Sequence, residues 1–236
     1  MRLKEFLSIR GIEFESINIR EDADGMAELQ RLGARSIPVV SKGDRFTFAQ
    51  VISDVVEFLE LDEETGPELN PQELMDRMNL FMTSAQRFVR QMPQDNVEDM
   101  LPGRPRSYRM LMHHIFQIPR AFLDIFEEGE FKYENTVIMP PDDMTSPESI
   151  ARFGEQIQVQ VNEWWATHPD QDCEETVKTY YGQHKLHDVL ERTTWHSGQH
   201  IRQLMSLLEQ LGVTPDNPLT MEDYKGLPVP TNVWDG

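Results

Sequence analysis

Between Leu186 and Leu211 the chain repeats a single stripe at three-and-four spacing: Leu186, Val189, Thr193, His196, His200, Leu204, Leu207 and Leu211. A stripe of that length and period admits one local structure, an amphipathic helix whose inner face other elements must cover. The upstream sequence supplies the cover. Residues 72–92 repeat the pattern through Leu74, Met78, Phe81, Ala85, Phe88 and Met92. Residues 105–127 form a second such segment, in which Pro119 predicts a kink rather than a stop. Ser146-Pro147-Glu148-Ser149 opens a third with an N-cap, proline at the first helical position and an acid in the first turn, and it runs to about Thr167. The fourth starts near His184 and ends at Gly212. Four such helices predict a bundle over residues 72–212, with any site built from inward-facing side chains.

Two positions of the last stripe, His196 and His200, carry imidazoles where the neighbouring turns carry aliphatic side chains. Burying an imidazole costs about 1–3 kcal/mol unless its nitrogens find partners. One buried histidine is ordinarily satisfied by hydrogen bonds, and a pair satisfied in that way is one reading here. The other is a metal ion, because histidines at i and i+4 present two lone pairs to one point. A third ligand then has to come from another helix. On the second helix His114 shares its face with Met110, Leu111, Ile118, Ala121, Phe122 and Ile125, the apolar side. His113 shares its face with Arg106, Arg109, Gln117 and Arg120, the polar side, so it is expected to face solvent or to act as an outer hydrogen-bond donor. His114 is therefore the expected third ligand. His184 and His187 read as surface or helix-start residues, and His168 falls in a His-Pro loop. RPRSYR, residues 104–109, places three arginines beside Tyr108, which suits a solvated helix face or an anion-binding helix start.

Residues 1–61 follow a different grammar. LKEFLSIR is a short helix closed by Gly11. FESINI (14–19) alternates with period two and predicts a strand. Residues 22–32 predict a helix ending at Gly33. IPVVSKGDRFTF predicts a hairpin about Lys-Gly-Asp. AQVISDVVEFLEL places Val51, Val55, Phe58 and Leu59 on one helical face. The order α-β-α-β-β-α belongs to a small α/β domain. Residues 62–71, DEETGPELNP, lose all periodicity and predict a linker. Residues 213–236 are Pro-rich and predict a tail lying over the surface.

Charge and cysteine count narrow the function. A net charge of −19 argues against nucleic acid, whose phosphates require clustered Lys and Arg. Cys173 is the only cysteine, so an intrachain disulfide framework is excluded and a reducing, cytoplasmic setting is expected. No run approaches 18 uncharged apolar residues, and MRLKEFLSIRG lacks the apolar core of a signal peptide, so neither membrane nor export is expected.

Two family resemblances sharpen these expectations. KEFLSIRGIEFESINI, LGARSIPVV and GDRFTFAQVISDVVEFL resemble the later part of a glutaredoxin, of the thioredoxin fold. Ser36-Ile37-Pro38-Val39 matches the family's segment in which the proline is cis and the preceding backbone pairs with the cysteine part of glutathione. That resemblance implies a thiol-binding loop at Ile37 and Pro38 with a cis bond between them. The family's first strand and Cys-x-x-Cys would lie before Met1, and Phe46-Thr47-Phe48 replaces its Gly-Gly. Thiol–disulfide chemistry needs the thiolate, so no disulfide-reductase activity is expected, and the sheet should show one exposed edge. Covering such an edge falls to the bundle, the tail or a second copy in a homodimer.

LMHHIFQIPRAFL and TTWHSGQHIRQLMSLLEQLG resemble the histidine segments of the second and fourth helices of the DinB/YfiT-like metal-binding bundle family, over about residues 71–212. The two resemblances together imply an α+β two-domain chain, a partial thioredoxin-like α/β domain followed by a DinB-like four-helix bundle. They imply that His114, His196 and His200 bind one divalent ion (zinc, nickel or iron), with positions left open for water or substrate. The implied activity is a metal-dependent, glutathione-type thiol S-transferase or a thiol-assisted isomerase, acting on a low-molecular-weight thiol and a small-molecule electrophile. Tyr108, Arg192 and Gln199 are the implied substrate-contacting or supporting residues, with His113 beside them. The alternative is a stress protein that binds a metal or small molecule without turnover.

Overall fold

The structure is a computed structural model of the 236-residue chain. It describes residues 2–9, 11–19, 21–62, 66–101 and 104–234, with the side chains of Arg2, Glu5, Ser8 and Ile9 left aside. Helices dominate, accompanied by small two-stranded sheets, and the chain divides into two compact units, Met1–Gly66 and Pro67–Gly236.

In the first unit Leu3, Phe6 and Leu7 form the buried face of α1 (Arg2–Ile9), after which the chain turns at Gly11 with φ 64°. Asp22 caps α2 (Ala23–Arg31) by accepting from the Gly25 N–H at 2.9 Å, and Gly33 takes the left-handed conformation just past its end. Strands β1 (Val39–Lys42) and β2 (Arg45–Phe48) pair antiparallel, Val39 opposite Phe48 and Lys42 opposite Arg45. Gly43, at φ 63°, supplies the first turn position. Helix α3 (Ile52–Phe58) buries Ile52, Val55 and Val56 against α1 side chains to complete the core. The Ile37-Pro38 bond is cis, as the resemblance of Ser36-Ile37-Pro38-Val39 implies.

The strand expected over residues 14–19 does not form. Alternation identifies two faces but names no partner, and a strand exists only when its backbone groups have a ladder to join. Among the described residues the hairpin strands pair only with each other. Ile17 lies instead over α2, in the space that a Cβ at Gly25 would need.

The second unit begins with a reciprocal cap on α4 (Pro71–Gln91): the Asn70 side chain accepts from the Glu73 N–H, and Glu73 accepts from the Asn70 N–H, both at 2.9 Å. Ser107 caps α5 (Tyr108–Glu128), which runs through Pro119 without a break and ends at Gly129, φ 78°. After a four-residue helix α6 (Tyr133–Thr136), Ser146 caps α7 (Pro147–Thr167). Strands β3 (Thr176–Thr179) and β4 (Gly182–Lys185) form a hairpin leading directly into α8 (Leu186–Gln210).

The last helix starts at Leu186, close to the expected start near His184, but the hairpin before it was not expected. In TVKTYYGQHK, Val177 and Thr179 alternate inward over four residues only, too short a run to stand out beside a long helical period. The four long helices pack in the ring order α4, α7, α5, α8, with α4/α5 and α7/α8 across the diagonals. Their interior holds Leu74, Met78, Phe81, Phe88, Leu111, Phe122, Ile150, Val161, Leu204 and Leu207, each at most 1% exposed. The tail is less superficial than expected: Tyr224 is buried and packs on the Phe81 ring with centroids 4.8 Å apart. No helix among the described residues is long and apolar enough to cross a membrane.

Candidate metal centre

Pro119 has no N–H, so the carbonyl one turn back, that of Ile115, loses its helical donor. Ile115 is fully buried, and an oxygen left unpaired there would cost about 1–3 kcal/mol. Ser197 supplies a donor from the facing helix, its Oγ bonding the Ile115 carbonyl at 3.0 Å. This contact sets the register of α8 on α5, because His114 directly precedes Ile115 and His196 directly precedes Ser197. Gly198 comes next. A Cβ there would lie 2.7 Å from the Phe81 ring, so the missing side chain lets α4 close on α8.

With that register, His114, His196 and His200 each offer one ring nitrogen, and the three atoms lie within 4.8 Å of one another. The ring centroids of His114 stand 5.5 Å from His196 and 4.9 Å from His200, and the latter two are 5.0 Å apart. His114 and His200 are 9% and 8% exposed, and His196 is half-buried. Nε2 of His196 and Nε2 of His200 are separated by 3.1 Å. Two metal–nitrogen bonds of about 2.0–2.1 Å span that distance at an angle of about 100°, close to tetrahedral. Bringing all three nitrogens to a common ion asks for a closing movement of up to about 1.4 Å from the widest separation.

The protonation states suit a ligand role. Burial, then the neighbouring His200 and Arg106, hold His114 well below the usual imidazole range, despite a hydrogen bond with the Thr136 backbone that acts the other way. Burial, then His200 and Arg192, do the same to His196. Neutral imidazole is the form that coordinates. On His200, Nδ1 bonds Gln203 Oε1 at 2.8 Å; that oxygen only accepts, so in the neutral ring the proton sits on Nδ1 and the lone pair on Nε2. The three histidines are close enough to hold one metal ion, and their donor set fits a divalent cation that favours imidazole.

Around this triad the structure distributes the other sequence candidates unevenly. Arg192 lies one turn before His196, buried, with Nη2 donating to Tyr180 Oη at 2.9 Å and the guanidinium 5.1–5.8 Å from the ring centres of Phe131, Tyr180 and Tyr181. Tyr108 is buried at the first position of α5, its N–H on the Asp99 carbonyl at 2.8 Å. Gln199 turns to the tail, donating to the Val233 carbonyl at 2.7 Å. In the first unit, the Ile37 carbonyl accepts from Gln50 Nε2 at 2.8 Å, and the Pro38 carbonyl accepts from the Ala49 N–H at 2.9 Å.

His113 needs correction. It is 2% exposed, not solvent-facing, and its ring stacks on Phe153 of α7 with centroids 4.9 Å apart. Face assignment assumed that α5 has a wet side, whereas α5 is buried all round from Leu111 to Pro119. His184 is likewise buried, packed on Tyr181 in the hairpin, while His187 Nε2 bonds the Leu69 carbonyl at 2.8 Å. The residue that sequence reasoning missed is Gln203. Its signal was available: it lies three positions after His200, hence on the adjoining face.

No family model matches the chain, and no curated protein matches it.

Proposed function

We propose that residues 72–212 are a DinB-like metal-binding bundle, that residues 1–61 are a glutaredoxin-like fragment, and that the chain is a divalent-metal-dependent thiol S-transferase or thiol-assisted isomerase using a glutathione-type thiol. The observation carrying this reading is the convergence of three largely buried imidazoles from two helices, with His114 and His196 held well below the usual imidazole range by burial. Three nitrogen ligands with further positions free is the donor count of catalytic rather than structural metal sites. An ion bound there would lower the pKa of a coordinated thiol and hold its sulfur for attack. The chain's own contribution is to fix the ligand rings, through Gln203 on His200 and the Thr136 backbone on His114. The buried guanidinium of Arg192, one turn from His196, adds positive potential that favours an anionic sulfur or carboxylate nearby.

The test has two stages. Protein purified without chelators is assayed for bound zinc, nickel and iron, with close to one ion per chain expected. The loaded protein is then given glutathione and an activated aryl halide: the S–C bond forms, the halide leaves and the thiol proton passes to solvent. Metal without turnover under these and isomerase conditions supports the non-catalytic binding reading. Absence of metal after reconstitution refutes both and leaves the 3.1 Å contact between His196 and His200 as a plain hydrogen bond.

A further inference from the structure

Residues 230–234 lie across the part of α8 that carries Gln199, Arg202 and Gln203, three side chains at most 8% exposed. Arg202 anchors the strap, Nη1 donating to the Pro230 carbonyl at 2.5 Å and Nη2 to the Thr231 carbonyl at 2.9 Å. Gln199 Nε2 donates to the carbonyls of Asn232 at 3.2 Å and Val233 at 2.7 Å. Gln203 Nε2 donates to the same Val233 carbonyl at 3.2 Å. A carbonyl can only accept, so Gln203 must turn its NH2 end to the strap, which leaves Oε1 facing inward. Oε1 then meets His200 Nδ1 at 2.8 Å.

The chain of consequences runs from the tail to the triad. With the amide reversed, its NH2 would face His200, Nδ1 would have to accept, and the ring proton would move to Nε2, the nitrogen that points at His196. A buried amide has two such orientations, and the Val233 carbonyl selects one.

We propose that Gln203 is a positioning residue for the metal centre and that the C-terminal strap, through the Val233 carbonyl, sets the His200 tautomer that offers Nε2 to the ion. The proposal rests on the metal-binding reading above and adds a support that reading does not require. Loss of such an outer hydrogen bond on a ligating histidine weakens metal binding by about 10- to 100-fold.

The experiment compares the wild-type chain with Gln203→Leu, Gln203→Glu and a chain ended at Thr231, which keeps both strap carbonyls that accept from Arg202 but lacks Val233. Imidazole nitrogen NMR on the metal-free proteins at pH 7.5 reads the His200 tautomer directly, and competition titration with zinc reads affinity. The wild type should hold the proton on Nδ1. Gln203→Leu and the shortened chain should show mixed tautomers and bind zinc about 10- to 100-fold more weakly. Gln203→Glu, whose carboxylate still accepts from Nδ1, should keep the tautomer and bind zinc at least as tightly as the leucine variant. If His200 keeps its proton on Nδ1 in the leucine variant and the shortened chain, and zinc affinity stays within twofold, the proposal is refuted. Should Gln203→Leu not fold, the shortened chain decides alone. A wild type that binds no zinc defeats the metal reading, while the tautomer comparison still decides whether the strap orients His200.

Discussion

The bond from Ser197 to the Ile115 carbonyl can be weighed by a double-mutant cycle, because the structure names the cause of the vacancy it fills. Ser197→Ala removes the donor from a fully buried oxygen, for a loss of about 1–3 kcal/mol, partly offset by about 0.5 kcal/mol from the better helix propensity of alanine. The net expectation is a destabilisation of about 1–2 kcal/mol. Pro119→Ala restores an N–H at the position from which α5 can bond Ile115 itself. In that background Ser197→Ala should be close to neutral, giving a coupling energy of about 1–2 kcal/mol. Urea unfolding in the presence of EDTA, followed by tryptophan fluorescence, measures all four corners. Trp164, Trp165, Trp195 and Trp234 all lie in the second unit, so the signal reports that unit alone. Equal losses on Ser197→Ala in both backgrounds, within about 0.5 kcal/mol, would refute the claim that the serine replaces the donor missing at proline.

Three other outcomes follow from the same geometry. Burial and Arg109 bring the His113 imidazole down to about 4, so the unfolded chain, titrating at 6.5, takes up a proton that the folded chain refuses. Stability from this group is complete above pH 6.5 and is lost as pH falls toward 4, by up to about 3 kcal/mol; His113→Leu should remove that share, and an unchanged acid profile would count against it. His196→Ala and His200→Ala should each abolish zinc-dependent stabilisation in thermal melts, whereas His113→Leu should leave zinc content unchanged; metal loss on changing His113 but not His114 would reverse the ligand assignment. Cys173 is buried, and burial with the carboxylates of Asp170 and Glu175 pushes its thiol up to about 12, so a thiol reagent at pH 8 should label it only after unfolding in urea; fast labelling of the native protein would contradict its placement.

What the sequence made legible was whatever repeats over many turns. The four long helices are fixed by stripes of three-and-four spacing, and the caps at Asn70 and Ser146 carry their own local chemistry. His196 and His200 were readable for the same reason: an imidazole in a leucine stripe breaks the pattern twice at one spacing. The hairpin at 176–185 and the absent strand at 14–19 were not readable, because short β segments owe their existence to partners that periodicity does not name. His113 failed for a related reason. A single helix shows which face is polar, but whether that face is wet depends on its neighbours, here Phe153 of α7. Gln203 could be seen to lie near His200, yet the direction of its amide is decided by Val233, thirty positions away along the chain.

The ring order of the helices bears on how the protein is made. Of the consecutive pairs, α5 and α7 are neighbours, while α4/α5 and α7/α8 face each other across the bundle. His114 therefore meets its partners only once α8, the last of these four helices to leave the ribosome, has docked against α5. A nascent chain or proteolytic fragment ending before Leu186 holds a single ligand, and α8 alone holds two. Retention of an ion by all three would thus act as a check on completed topology: the cation would favour only chains in which α8 has closed the ring, and would slow its departure thereafter.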